Sequence, residues 1–160
     1  MCDSNKELRC DDNTKLLWLE YFLSPMTSAE IRTEFYLYTN ELSSRQSIHY
    51  NNKPATISAL GFKGSRDTKI IIHGFRSSSD ERWVEEMMDA FKIRGDFNII
   101  LVDWRRGANF IFPMYTKASL NTPIVGNDVA KLIKVLPTNK SKVHIIGHSL
   151  GAHVASFASK

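Results

Sequence analysis

Four short apolar runs, separated by polar and turn-forming stretches, set the frame of this chain, and each predicts a strand. Arg32 to Tyr38 alternates, with Thr33, Phe35 and Leu37 on one face, as a half-buried strand does. Lys69-Ile70-Ile71-Ile72, Phe97 to Asp103 and Lys142 to Ile146 are apolar almost throughout, the pattern of strands in a sheet covered on both faces. Helical periodicity lies between them. Trp83, Met87 and Phe91 recur at i, i+4 and i+8, predicting a helix from Asp80 to Arg94 with Ser79 as its cap and Gly95 as its stop. A second helix is expected over at least Pro123 to Leu136, with Thr122 as cap; a start nearer Thr116 would force a kink at the proline. The polar stretch 43–65 is expected to be irregular. Strands alternating with helices predict an α/β architecture with a parallel sheet, and the lack of repeats or a linker predicts one domain over residues 1–160.

The last apolar run leads directly into Gly147-His148-Ser149-Leu150-Gly151. This spacing suits a nucleophile elbow, in which a buried strand ends in a turn so tight that only small residues fit two before and two after the serine. The bare spacing arises by chance in roughly one chain in twenty of this length. Context decides for the elbow: a β-branched strand precedes it, and Ala152, Ala155 and Ala158 follow as the small face of a helix that packs closely on a sheet. In such folds the acid and the histidine follow the serine in the chain, yet only 11 residues follow Ser149 here. The stretch is therefore expected to show a nucleophile without its activators, truncated after the elbow and inactive alone. Asp103 precedes the serine, so a triad built from it and His73, His144, His148 or His153 is disfavoured. His148 and His153 read as structural, His73 as shaping its loop, and His144 as a core or edge residue.

Composition narrows the class. With 42% hydrophobic and 24% charged residues the balance is globular, which excludes a disordered chain. No run approaches the roughly 20 apolar residues of a membrane span, and Met1 to Cys10 lacks the apolar core of a signal peptide, as a chain whose leader had been removed would too. The net charge of +4 is modest, and Lys131, Lys134, Lys140, Lys142 and Lys160 read as a solvated face. Arg105-Arg106 reads as a solvated loop, and no nucleic-acid module is present. No metal or cofactor is expected. Cys2 and Cys10 fit either a small disulfide-closed loop or two free thiols. Asn139-Lys140-Ser141 is a glycosylation sequon where an exposed loop is expected.

Four motifs now stand in order: F-Y-L-Y-T-N from Phe35, I-I-I-H-G-F from Ile70, I-L-V-D-W from Ile100, and H-I-I-G-H-S-L-G-A-H from His144. Together they resemble the pancreatic lipase family of neutral lipases and phospholipases A1, over most of the chain from about Ile31. The resemblance implies part of an α/β-hydrolase fold, a mostly parallel sheet with flanking helices. It implies Ser149 as the nucleophile and the backbone N–H groups of Phe75 and Leu150 as an oxyanion hole, with Gly147 and Gly151 as the elbow glycines. Cys2 and Cys10 look like that family's N-terminal disulfide, which implies a secreted protein. The implied reaction is hydrolysis of a lipid carboxylic ester at a lipid–water interface, triacylglycerol and phospholipid being left open because the lid and C-terminal domain are not in this stretch. The alternative is a catalytically silent lipase-like protein that binds lipid or a protein partner. Thr122-Pro123 departs from the pair expected there and puts the start of that helix in question.

Overall fold

The computed structural model describes residues 20–21, 23–111 and 114–160; Cys2 and Cys10, and with them the expected disulfide, lie outside the described residues. Five strands form one sheet: β1 (Glu34–Tyr38), β2 (Gln46–Ile48), β3 (Thr68–Ile72), β4 (Asn98–Asp103) and β5 (Val143–Gly147), in the order β2-β1-β4-β3-β5. β3 pairs in parallel with β4 and with β5, while β1 pairs antiparallel with β4 and β2. The sheet is thus mixed, parallel where the apolar runs are continuous and antiparallel where β1 alternates. β5 forms one edge among the described residues, paired on one side by β3.

Each central strand feeds two cores, because successive side chains of a strand point to opposite faces. Ile70, Ile72, Ile100 and Val102 join Phe35 and Leu37 on one face; Ile71, Ile99 and Leu101 lie on the other. The first face is covered by α1 (Ser28–Ile31), α2 (Pro54–Ala59), α4 (Arg105–Ala108), α5 (Tyr115–Val135) and α6 (Leu150–Ala158). The second is covered by α3 (Arg82–Arg94), which lays Val84 and Met88, flanked by Trp83, Met87 and Phe91, on the sheet.

Several boundaries differ from expectation for identifiable reasons. β1 begins at Glu34 because Arg32 ends α1 in the left-handed region at φ 50°. α3 begins at Arg82, and Ser79 caps nothing: its N–H and hydroxyl both donate to the Asp103 carboxylate, at 3.1 and 2.7 Å. The stretch 43–65 is not irregular, since it holds β2 and α2. α5 starts at Tyr115, next to the alternative start near Thr116, and continues past Pro123, so Pro123 is an interior residue and Thr122 is not a cap. The carbonyl that would have bonded a residue-123 N–H belongs to Ser119, and the Thr122 hydroxyl donates to it at 2.8 Å. On α6 the packed face is Leu150, Gly151, Val154 and Ala158 with Ala155 beside them, so of the expected alanine row Ala155 and Ala158 pack and Ala152 is exposed. Its close partner is Gly126 of α5, where an added Cβ would lie 2.5 Å from the Phe157 Cβ.

Candidate active site

The elbow forms where β5 stops. The His148 N–H still donates to the Ile72 carbonyl at 3.0 Å, extending the ladder with β3 by one bond. Ser149 then takes φ 55°, ψ −123°, a conformation that costs a non-glycine residue about 1–3 kcal/mol. Helix α6 starts immediately, with Gly151 N–H donating to His148 O at 2.8 Å and Ala152 N–H to Ser149 O at 2.9 Å. The two glycines are required by proximity. A Cβ on Gly147 would lie 2.3 Å from the Gly151 carbonyl oxygen, and one on Gly151 would lie 2.3 Å from the Ile72 carbonyl oxygen. Ser149 itself is exposed, and Leu150 is buried as the first helical residue, whose N–H has no acceptor within its own helix.

A second segment meets the serine from β3. At Gly74 an added Cβ would stand 2.8 Å from Ser149 Cβ and 3.3 Å from Ser149 Oγ, so the His73-Gly74-Phe75 backbone lies against the serine side chain. The sequence sign of Gly74 is its place in H-G-F. The Phe75 ring packs edge-on against Tyr115, 5.2 Å between centroids. The chain turns away at Arg76, which takes φ 54° and donates its N–H to the Ala108 carbonyl at 3.0 Å. That strained arginine gives no signal in sequence. Phe75 and Leu150 are therefore brought to the two segments that flank Ser149.

His73 and Asp103 serve the scaffold. His73 is buried and stacked on Trp104, 5.7 Å between ring centroids. Its Nε2 accepts the Trp104 backbone N–H at 3.1 Å, which leaves the proton on Nδ1, 3.0 Å from the Gly74 carbonyl oxygen. The Trp104 indole N–H returns a bond to the His73 carbonyl at 2.8 Å. Both ring nitrogens are occupied, so His73 cannot also take a proton from Ser149. Asp103 Oδ1 stands 3.6 Å from His73 Nε2, which in this tautomer has no proton to share. Burial alone would raise the Asp103 pKa; with the His73 edge beside it, the donors on Arg105 and Ser79 reverse that and hold the carboxyl well below the usual range. Arg105 is accordingly no solvated loop residue, because its guanidinium joins Asp103 to Asp80. Arg106 is exposed, as expected.

The remaining histidines lie apart from this network. His144 is exposed on the edge strand β5, His153 is exposed on α6, and the exposed His148 ring rests 5.0 Å from Trp83. Among the described residues no group of three or more His, Cys, Asp or Glu side chains is placed to hold a metal ion, and no helix is long and apolar enough to cross a membrane.

A mixed sheet flanked by helices, with a serine in a strained turn between a parallel strand and a helix, is part of an α/β-hydrolase domain. The profile of the family described as lipase matches residues 7–160. The chain belongs to the lipase family, and within it is similar to the pancreatic lipase-related proteins. It is 42% identical over 138 residues to human inactive pancreatic lipase-related protein 1, covering 84% of this chain and 29% of that protein. It is 41% identical over 140 residues to mouse pancreatic lipase-related protein 2, covering 85% of this chain and 28% of that protein. Against the pig pancreatic lipase-related protein 2 it is 44% identical over 144 residues, 86% of this chain and 30% of that protein. The chain thus spans about three tenths of the length of these relatives.

Proposed function

We propose that this stretch supplies the nucleophile and the oxyanion hole of a secreted hydrolase acting on lipid carboxylic esters, as the N-terminal portion of one lipase domain. In the proposed reaction Ser149 Oγ attacks the ester carbonyl carbon. The N–H groups of Phe75 and Leu150 receive the oxyanion, each donor lowering the barrier by roughly 2.7–4 kcal/mol. The observation that carries this reading is the strained, exposed Ser149 with the Gly74 peptide packed against it, since such strain persists where surrounding structure holds it for use. On this reading the acid and base are contributed by parts of the protein outside residues 1–160, because His73 and Asp103 are committed to Trp104, Gly74, Arg105 and Ser79. Secretion is supported by the family resemblance and the Cys2/Cys10 pair.

A second reading is favoured by one finding: a relative at 42% identity is named an inactive lipase-related protein. A lipase-like protein that binds lipid without cleaving it would keep the same fold. The test is to assay the full-length protein on emulsified triacylglycerol and on phospholipid vesicles, beside Ser149→Ala. Hydrolysis that falls by several powers of ten in the variant, with an unchanged fold, supports the enzyme. Wild-type protein that binds either surface without hydrolysis supports the second reading, and equal turnover by Ser149→Ala removes the serine from the reaction.

A further inference from the structure

Asn139-Lys140-Ser141 is the one Asn-X-Ser/Thr sequence with a non-proline middle residue in the whole chain. It occupies the connection from α5 to β5, where Lys140–Lys142 form a single 3-10 turn and Asn139 is its cap. The Asn139 side-chain oxygen accepts the Ser141 N–H at 3.0 Å, and the Asn139 carbonyl accepts the Lys142 N–H at 2.9 Å. The carboxamide oxygen is thus engaged, while its Nδ2 has no partner among the described residues. Asn139, Lys140 and Ser141 are all exposed. The flanks are tied down: the Thr138 hydroxyl donates to Gly64 O at 3.1 Å and the Lys142 ammonium to Ser65 O at 2.7 Å. The loop therefore presents the Asn139 amide outward from a fixed base.

We propose that Asn139 carries an N-linked oligosaccharide, an inference that rests on the secreted reading above. The donor is an oligosaccharide linked through pyrophosphate to a polyprenol. Asn139 Nδ2 forms a bond to the anomeric carbon as that carbon's bond to the pyrophosphate oxygen breaks. The displaced Nδ2 proton passes to a base of the transferase, and the polyprenyl pyrophosphate departs. Ser141 supplies the hydroxyl that the sequon requires, and Lys140 leaves the middle position free of proline.

Position makes the modification compatible with the proposed chemistry. Asn139 precedes the amino end of β5 and Ser149 follows its carboxyl end. Five residues of strand at about 3.3 Å each place roughly 17 Å between the two ends. A glycan at Asn139 stands on the rim of the sheet opposite the elbow and the His73-Gly74-Phe75 segment. It adds bulk beside Lys140 and Lys142.

The test uses full-length protein made in eukaryotic cells, once with its native N-terminus and once behind a supplied secretory leader. The secreted material is treated with peptide N-glycosidase and its tryptic peptides are weighed. The expected result is a mobility shift on treatment, with Asn139 converted to Asp. Ser141→Ala keeps the Ser141 N–H, and hence the loop's turn, but should abolish the shift; Ser141→Thr should retain it; hydrolase activity should stay unchanged in both. An unmodified Asn139 in leader-driven secreted protein overturns the proposal. Modification in the leader-driven arm, with the native-terminus protein held in the cytosol, supports the acceptor site and overturns the secreted reading instead.

Discussion

Replacing Gly151 by alanine tests the elbow through a reversal of sign. Inside an ordinary helix a Gly to Ala change stabilises by about 1 kcal/mol. At Gly151 the new Cβ would stand 2.3 Å from the Ile72 carbonyl oxygen and 2.6 Å from that of His73, where ordinary contact begins at 3.4 Å. Both obstacles are backbone atoms at the end of β3, so neither can swing aside as a side chain would. Helix α6 must lift, or β3 must bend, by about 1 Å. Because both obstacles are backbone, overpacking here falls in the upper part of its range, about 2–3 kcal/mol, which outweighs the propensity gain of about 1 kcal/mol and leaves a net loss of about 1–2 kcal/mol. In a cooperative unit of about 150–250 residues that lowers the melting temperature by roughly 2–8 °C, and in a larger one by less. The same displacement moves Leu150 N–H relative to Ser149, and a misplacement of about 1 Å in a reacting constellation costs on the order of 100-fold in rate. The assay is kcat/KM on a soluble short-chain ester together with thermal melting, in the full-length protein. Ala152→Gly, at an exposed position of the same helix, should lose only the propensity term and keep its turnover. A Gly151→Ala protein that is more stable than wild type and equally active would refute the close seating of α6 on β3.

Four further outcomes are expected. Ser149→Gly should abolish turnover yet raise stability by about 1 kcal/mol in chemical denaturation, since it relieves φ 55°, ψ −123°; an unchanged midpoint speaks against the strain. Asp103→Asn should cost about 2 kcal/mol at neutral pH, discounted because Arg105 is 42% exposed. The wild-type carboxylate contributes its stability above the ordinary Asp value of about 3.9 and loses it as pH falls toward the depressed folded value, so the deficit should shrink below about pH 4; equal deficits at pH 3 and pH 7 count against it. Thr122→Val should cost about 1–2 kcal/mol by orphaning the Ser119 carbonyl, and should cost much less in a Pro123→Ala background, where an N–H is restored; additive effects in that double-mutant cycle refute the compensation. Residues 1–160 expressed alone should show no serine-dependent esterase activity, and a soluble fragment with such activity would require a base within this stretch.

What sequence revealed and what it hid follow from the range of the interactions involved. The continuous apolar runs at Ile70 to Ile72 and Ile99 to Val102 announced strands covered on both faces, and the two cores bear that out. The α/β class and the elbow's position were legible for the same reason. β2 and α2 were not, because Gln46–Ile48 is short and half polar and gains its place by pairing with β1. α2 did carry a local sign, Pro54 in its first turn, and α1 carried another in the reciprocal Thr27/Glu30 capping box. Ser79 has the local sequence of a helix cap, but its partner, Asp103, lies 24 residues away in sequence and leaves no local sign. For Pro123 the sequence leaves two starts open, and the earlier one is found because the Thr122 hydroxyl takes the freed Ser119 carbonyl, a bond visible only once both residues are helical.

His73 stands one residue before the Gly74 that packs on Ser149 and lies beside Asp103, which tempts a triad assignment, and the energetics argue against it. Turning the His73 ring toward Ser149 would break the bond from the Trp104 N–H and the contact with the Gly74 carbonyl, both buried. Each orphaned buried group costs about 1–3 kcal/mol. The loss would also fall on Gly74, whose packing holds the H-G-F segment against Ser149. A histidine that served as base in this place would therefore loosen the segment proposed to carry Phe75 as an oxyanion donor. Holding that segment and relaying a proton are competing uses of one imidazole, and the hydrogen bonds assign His73 to the first. On the proposed reading the serine's base arrives on another part of the protein, free to move its proton because nothing in the β3–β4 scaffold depends on it.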